Sequence, residues 1–458
     1  MADRDSNQIY SGASPEQVQA DLEPLIAFQD DGLSLDELRD LIENRLAPHL
    51  MRYDLPTFQS MFNSLPEAGA EYGARVALTW NQGVTNWQVS PGGAVLEELS
   101  IRALCSLFGL SPGSDGTAMY CGSYANQQAL YMALHKMAED RGFNLAEAGI
   151  SGFQDPARLA VLTSEDAHFS LRHAVRLLGL GERSLITVQV DANHRMDIES
   201  LRNTVAELAG SRDVFCVIAT AGTTPTGSVD PIPPVADMCE QLGSWLHVDG
   251  AYGLAYRLVP EWRHLFAGIE RADSVSWDPH KQFGVPIPSS VLFVRQQEDF
   301  GRMALFSSYF NRPHSIQPNP GVKSVPSTRP LSMLPLVTSI RHQGLKAVVE
   351  RLRTPLVNIR ELAAFLVQQQ DLELCHQPDT GILCFRIVPA GLNEGKLNQL
   401  QQNIYTRIMQ QGERTISLTQ LDGRTVLRLV AVSPSVTTAA MMDTIDEVRR
   451  VAAKERAT

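Results

Sequence analysis

Basic charge is what this 458-residue sequence most clearly lacks. Its 39 Lys and Arg are outnumbered by 51 Asp and Glu, leaving a formal net charge of -12. A protein that grips a nucleic-acid backbone carries clustered Lys and Arg, so that class is excluded, although a local pocket for one phosphate group is not. No uninterrupted apolar run reaches the length of a membrane span. The first residues, MADRDSNQIYSG, are polar and acidic and have no apolar signal-peptide core. Cysteine is sparse: Cys105, Cys121, Cys216, Cys239, Cys375 and Cys384 form no CxxC pair and mostly sit in apolar runs. That pattern fits free thiols in a reducing compartment better than disulfides or a zinc site. The expectation is a cytoplasmic protein with no metal, no nucleic-acid partner and no membrane partner. Internal repeats and low-complexity segments are also missing.

What is present is an ordinary soluble composition, 44% hydrophobic and 20% charged, in a chain long enough for two or three domains. Residues 1–75 read as an N-terminal helical arm. Ser14-Pro15-Glu16-Gln17 and Ser34-Leu35-Asp36-Glu37 are capping boxes, the second opening an apolar stripe of Leu38, Leu41, Ile42 and Leu46. Such helices need a surface to cover, their own domain or a partner subunit. Residues 76–330 read as a large α/β domain. A helix runs from Pro91 to Leu107 and another follows the glycine turn at Gly122. Compact, β-branched runs then recur at 159–164, 184–190, 213–221, 245–250, 273–278 and 289–295. Near-continuous apolar strands separated by helical patterns indicate a mostly parallel sheet buried on both faces. The segment 311–330 holds five prolines and reads as a long, mobile loop. Residues 331–458 read as a long linking helix followed by a small α+β domain with an antiparallel sheet.

The chemistry concentrates between Trp245 and Arg295. WLHVDGAYG and ADSVSWDPHKQFG are two short apolar runs that end in Asp249 and, just past Asp278, in Lys281. In an open α/β sheet, ligands bind at the carboxyl ends of the strands. A carboxylate for a ring nitrogen and a lysine for an aldehyde are what pyridoxal phosphate (PLP) requires. A lone lysine is ordinarily a solvated charge, and a lone VDG a helix cap; the pairing is what carries the signal. Gly122-Ser123, opening a helix, suits a phosphate. His168, between a strand and a helix, suits a face of a planar cofactor or a proton shuttle. Thr223-Thr224, after another strand, suits a cofactor contact.

These motifs resemble the group II PLP-dependent amino-acid decarboxylases, a family with aromatic, glutamate, histidine and diaminobutyrate members. HVDGAYG followed by DSVSWDPHK is the most specific part, and SEDAHFSLRHA and ATAGTTPTGSVDP occur in the family's order. The resemblance implies the PLP-dependent transferase fold type I (aspartate aminotransferase-like) and a homodimer with active sites at the subunit interface. It implies Lys281 as the internal aldimine, Asp249 as the pyridinium partner, His168 as the stacked imidazole and Thr224 as a cofactor contact. It matches Gly122 and Ser123 to the phosphate turn, and Asp278 and His280 to phosphate-side contacts.

Three departures stand out. CGSYAN replaces the usual GGS or GSAS turn followed by an acid, with Tyr124 in the acid's place. Ala94 stands where SPxxTxLE has threonine. The loop 313–327 lacks the tyrosine that in many members protonates the substrate carbon; Tyr309 and His314 flank or enter it. The expected activity is decarboxylation of an L-amino acid to its amine. The alternatives are a decarboxylating aldehyde synthase and a non-catalytic PLP-binding paralogue. Arg329 and Arg428 are candidate partners for a substrate carboxylate, with a structural ion pair the competing reading for each.

Overall fold

The computed structural model describes residues 7–307, 311 and 317–457; Tyr309 and His314 lie outside the described residues. The chain divides into two compact units. The small unit comprises the chain up to Ser64 together with Thr354–Gln377 and Gly381 onward, and the large unit comprises Leu65–Arg353 with Pro378–Thr380.

The chain starts as its caps dictate. In α1 (Pro15–Leu22) the Ser14 hydroxyl accepts from the Gln17 N–H while the Gln17 side chain accepts from the Ser14 N–H. Ser34 and Glu37 repeat the exchange at α2 (Leu35–Leu41). Neither helix buries a residue in this chain, and Phe28 between them and Leu35 at the start of α2 stand largely exposed.

In the large unit, α3 (Ala68–Trp80) packs along the helix Met333–Gln343. The approach is close: a Cβ on Gly73 would stand 2.2 Å from Thr338 Oγ1 and 2.9 Å from Pro335 Cα. This packing draws both helices into one unit. The boundaries expected at 75/76 and 330/331 therefore fall at 64/65 and 353/354, and the N-terminal helices belong to the same unit as the C-terminal sheet. α4 (Pro91–Leu107) follows, then a sheet of seven strands: β1 (Asp115–Met119), β2 (Leu159–Ser164), β3 (Leu185–Val188), β4 (Asp213–Thr220), β5 (Trp245–Asp249), β6 (Ser274–Trp277) and β7 (Ser290–Val294). Their order is β1-β7-β6-β5-β4-β2-β3. β7 runs antiparallel to both its neighbours, and the other pairings are parallel. β2, β5, β6 and β7 are buried at every position, as strands covered on both faces must be. α5 (Gly122–Asp140) lies on this sheet through Ala125, Ala129 and Met132, in one core with Val161, Ile218 and Leu292.

β1 was not expected from sequence. DGTAM has a glycine and only one β-branched residue, and it becomes a strand because β7 offers it an antiparallel edge. The helix expected through 331–366 is two, broken at Gly344 with a φ of 75°. In the small unit, β8 (Leu372–Leu374), β9 (Ile382–Ile387), β10 (Ser417–Leu421) and β11 (Arg424–Val430) form an antiparallel sheet ordered β10-β11-β9-β8. Helices Glu394–Gln411 and Thr438–Ala457 complete its core. No disulfide joins the six cysteines, four of which are buried. Among the described residues, no helix is long and apolar enough to cross a membrane.

Candidate active site

The carboxyl ends of β2, β4, β5 and β6 face the N-terminus of α5, and a cavity of about 200 Å³ opens there. It is lined by Cys121, Gly122, Ser123, Asn126, His168, Thr220, Gly222, Thr224, Asp249, Ala251, Tyr252, Asp278 and Lys281. Seven residues singled out from sequence thus share one cavity. The eighth, His280, does not line it; its Nδ1 meets the backbone of Ser289, and its Nε2 lies 3.8 Å from Asp278 Oδ2.

Asp249 ends β5, where its carboxylate is buried. Its Oδ2 accepts from Asn126 Nδ2 at 2.7 Å, and its Oδ1 accepts from the Ala251 N–H and the Ser276 hydroxyl, both at 3.1 Å. Burial opposes ionisation here, but the Lys281 ammonium and the Asn126 donor help hold the carboxyl below its usual range. A negative charge on the floor of the site is therefore favoured at neutral pH.

Lys281 lies on the single helical turn Pro279–Gln282, with Nζ 3.2 Å from Asp278 Oδ2. The other oxygen, Asp278 Oδ1, is buried without a hydrogen-bond partner. His168 sits between β2 and the helix Ser170–Leu177; its Nδ1 accepts from the Ser170 N–H at 3.2 Å. Burial pushes its pKa down, with Asp249 and Asp278 opposing and Lys281 assisting, so the imidazole is neutral at pH 7 with its proton on Nε2. Thr223 and Thr224 lie beyond the end of β4. Thr224 lines the cavity, whereas Thr223 is buried in a chain of hydroxyls, 2.7 Å from Thr226, which is 2.9 Å from Ser228.

The two arginines considered for a substrate carboxylate are engaged in their own units. Arg329 is buried and donates to Glu97, to Thr117 Oγ1 and to the Ala118 carbonyl. Arg428 donates to Ser417 Oγ and to the Ser60 carbonyl. The structural ion pair is thus the outcome for Arg329. Sequence reasoning missed Asn126, His247, Thr220 and Ser276. The signal for two of them was there: His247 is two residues before Asp249 on a strand, and Asn126 is one helical turn after Gly122.

The donor set suits pyridoxal phosphate. A nineteen-residue helix begins at Gly122, where a Cβ would crowd Ala251 Cβ and Asp278 Oδ2 at 3.0 Å. That N-terminus suits a phosphate, the ionised Asp249 a protonated ring nitrogen, and Lys281 an aldehyde.

Comparison with known proteins decides the family. Residues 15–388 match the model of the pyridoxal-dependent decarboxylase conserved domain. The chain belongs to the pyridoxal-dependent decarboxylases. This decarboxylase is 29% identical to the L-2,4-diaminobutyrate decarboxylase of Acinetobacter baumannii over 367 residues, covering 78% of this chain and 72% of the other. It is 29% identical to the human cysteine sulfinic acid decarboxylase over 424 residues, covering 88% and 84%. The crystal structure of mouse CSAD in apo form superposes with a TM-score of 0.88 at 26% identity, covering 97% of this chain and 93% of the other. The fold type I architecture expected from the motifs is therefore confirmed, as are the PLP cofactor and the carboxy-lyase activity on an amino acid.

Proposed function

We propose that the decarboxylase acts on an L-amino acid through Lys281, Asp249 and His168, with Gly122, Ser123, Thr224, Asp278 and His280 supporting the cofactor. The observation that carries this reading is an ionised, buried Asp249 sharing one cavity with Lys281. Bound PLP supplies an aldehyde for an amine and a ring that takes up the electron pair freed when the Cα–carboxylate bond breaks.

The protein's residues divide the remaining work. Lys281 supplies the attachment amine, which Asp278 orients at 3.2 Å. Asp249 holds a proton on the ring nitrogen, because an ionised carboxylate in a buried site favours a cationic neighbour. Neutral His168 covers the ring face and keeps water from it. The first-turn N–H groups of α5 and the Ser123 hydroxyl bind the phosphate, and Thr224 and the Asp278–His280 pair steady the cofactor from the strand side.

The polypeptide is proposed to act as a homodimer with active sites at the subunit interface. Support comes from α1 and α2, which bury nothing in this chain and lie among the exposed Ile26, Phe28 and Leu35. The free cysteines fit a reducing cytoplasm.

Lys281→Ala tests the assignment. It is expected to lower amine formation across an amino-acid panel by at least about 10³-fold, consistent with loss of a covalent catalytic group, and to abolish borohydride fixation of PLP to the HK dipeptide. Turnover near the wild-type rate would remove Lys281 from its role. Hydrogen peroxide and ammonia in place of amine would indicate the oxidative, aldehyde-forming outcome.

A further inference from the structure

Beneath the cavity, a line of buried polar groups runs away from Asp249 into a region that is otherwise apolar. Trp245, His247 and Asp249 alternate along β5 and so share one face. The register sets His247 beside Ser274 and Asp249 beside Ser276 on β6. Asn126 reaches the same face from α5. His247 is wholly buried and Asn126 is 1% exposed.

The chemistry of the partners fixes every proton in this line. A carboxylate only accepts, so the amide nitrogen of Asn126 must face Asp249 Oδ2, at 2.7 Å. The amide oxygen then faces His247 Nε2 at 3.0 Å, and that nitrogen must carry the hydrogen. In the neutral ring Nδ1 is the acceptor, for the Ser274 hydroxyl at 2.8 Å. The Ser274 oxygen in turn accepts from the Trp245 indole N–H at 2.8 Å. The second hydrogen of the Asn126 amide goes to Ser170 Oγ at 3.1 Å, and the N–H of Ser170 is the donor to His168 Nδ1. One amide therefore ties the acid on the floor of the cavity to the loop that carries its histidine.

We propose that His247 and Asn126 are positioning residues: His247 anchors the oxygen of the Asn126 amide, and that amide holds Asp249 in the rotamer that meets the ring nitrogen of PLP. The relay rests on the reading that Asp249 is the ring-nitrogen partner. With His247 unable to donate, the amide oxygen loses its partner and the amide is held only through its nitrogen, by Asp249 and Ser170, so it places that nitrogen less firmly. The buried carboxylate then keeps a looser donor, and its rotamer is less well fixed. Packing alone does not call for these residues, since apolar side chains of like shape would fill the same space without any group to satisfy.

The test uses holoenzyme and measures PLP affinity by equilibrium dialysis, the visible absorption of the bound cofactor, and kcat and KM separately. His247→Leu and Asn126→Leu are each expected to weaken PLP binding about tenfold or more, the size of a lost hydrogen bond to a charged group. Both should change the absorption band and lower kcat more than they raise KM. The double variant should lose little more than either alone, because both break one line. His247→Gln, whose side-chain amide donates from nearly the position of Nε2, should recover most of the loss. Ser274→Ala, which removes the partner of His247 Nδ1 and of the Trp245 indole but leaves the His247–Asn126 contact, provides a milder variant if the leucine changes prevent folding, and should give a smaller loss of the same kind. Folded His247→Leu or Ser274→Ala protein with wild-type affinity and spectrum would overturn the relay, and so would a His247→Gln variant no better than His247→Leu. Asp249→Asn, run alongside, separates the two claims. If it leaves PLP affinity and kcat unchanged, the reading of Asp249 fails; if it alone loses them, only the relay fails.

Discussion

His247 is a basic side chain kept uncharged. Burial pushes its pKa from 6.5 down to about 4, against the pull of Asp249. Because the folded value lies below the unfolded one, the unfolded chain binds the extra proton in between. The stability that comes from keeping this ring neutral is complete above pH 6.5 and is lost as pH falls toward 4; a shift of that size corresponds to about 3 kcal/mol. Urea unfolding at pH 7, 5.5 and 4 should show wild-type protein losing stability relative to His247→Gln by that order, and equal losses would mean the ring is not held neutral. Residues of this kind escape a reading of sequence built on ionisable groups at strand ends. Lys281, Asp249 and His168 stood out because each closes or follows an apolar run. Asn126 carries no charge in a helix of ordinary pattern, and His247 reads as the residue before the acid. What makes them matter is the contact between a strand and a helix 121 residues apart in sequence. Only the assembled sheet supplies that contact.

At the scale of elements, sequence pattern was most informative where the cause was local. The capping boxes of Ser14 and Ser34 each lie within four consecutive residues, and both helices begin where expected. The fully buried strands were legible for a related reason, since strands covered on both faces need no polar alternation. β1 and β8 were not, because a neighbouring strand, and not their own composition, makes them strands. The compact units divide at 353/354, beyond the boundary expected near residue 330, because helix Met333–Gln343 packs on α3, which lies far upstream. That pairing makes a sharp demand at Gly73. Gly73→Ala would drive a methyl group to 2.2 Å from Thr338 Oγ1 and 2.9 Å from Pro335 Cα. The expected cost is about 1–3 kcal/mol, as for overpacked cores, read as a lower denaturation midpoint. Adding Thr338→Ala should restore only part of it, since the Pro335 backbone remains in the way; full restoration would show that the helices separate easily.

For the whole molecule, every cavity residue falls between Cys121 and Lys281, inside the large unit. Ligand binding should therefore be felt first in that unit's unfolding. PLP at about 100 times its dissociation constant stabilises the form that binds it by about 2.7 kcal/mol. Calorimetry of apo and PLP-saturated protein should show the corresponding transition rise, with a smaller rise for Lys281→Ala; equal rises would mean that the lysine adds nothing to retention of the cofactor. The two units need not unfold together, so more than one transition is allowed.

The antiparallel placement of β7 has a mechanical result. A parallel neighbour would require a crossover over the face of the sheet after Trp277. Here the chain turns straight back, so Lys281 rides on a twelve-residue return whose two stems, β6 and β7, are paired along their length. The His280 ring pinned to Ser289 draws that return tighter still. The amine is thus moored at both ends like a short bridge, free to swing through its own side-chain torsions while its backbone anchor stays put.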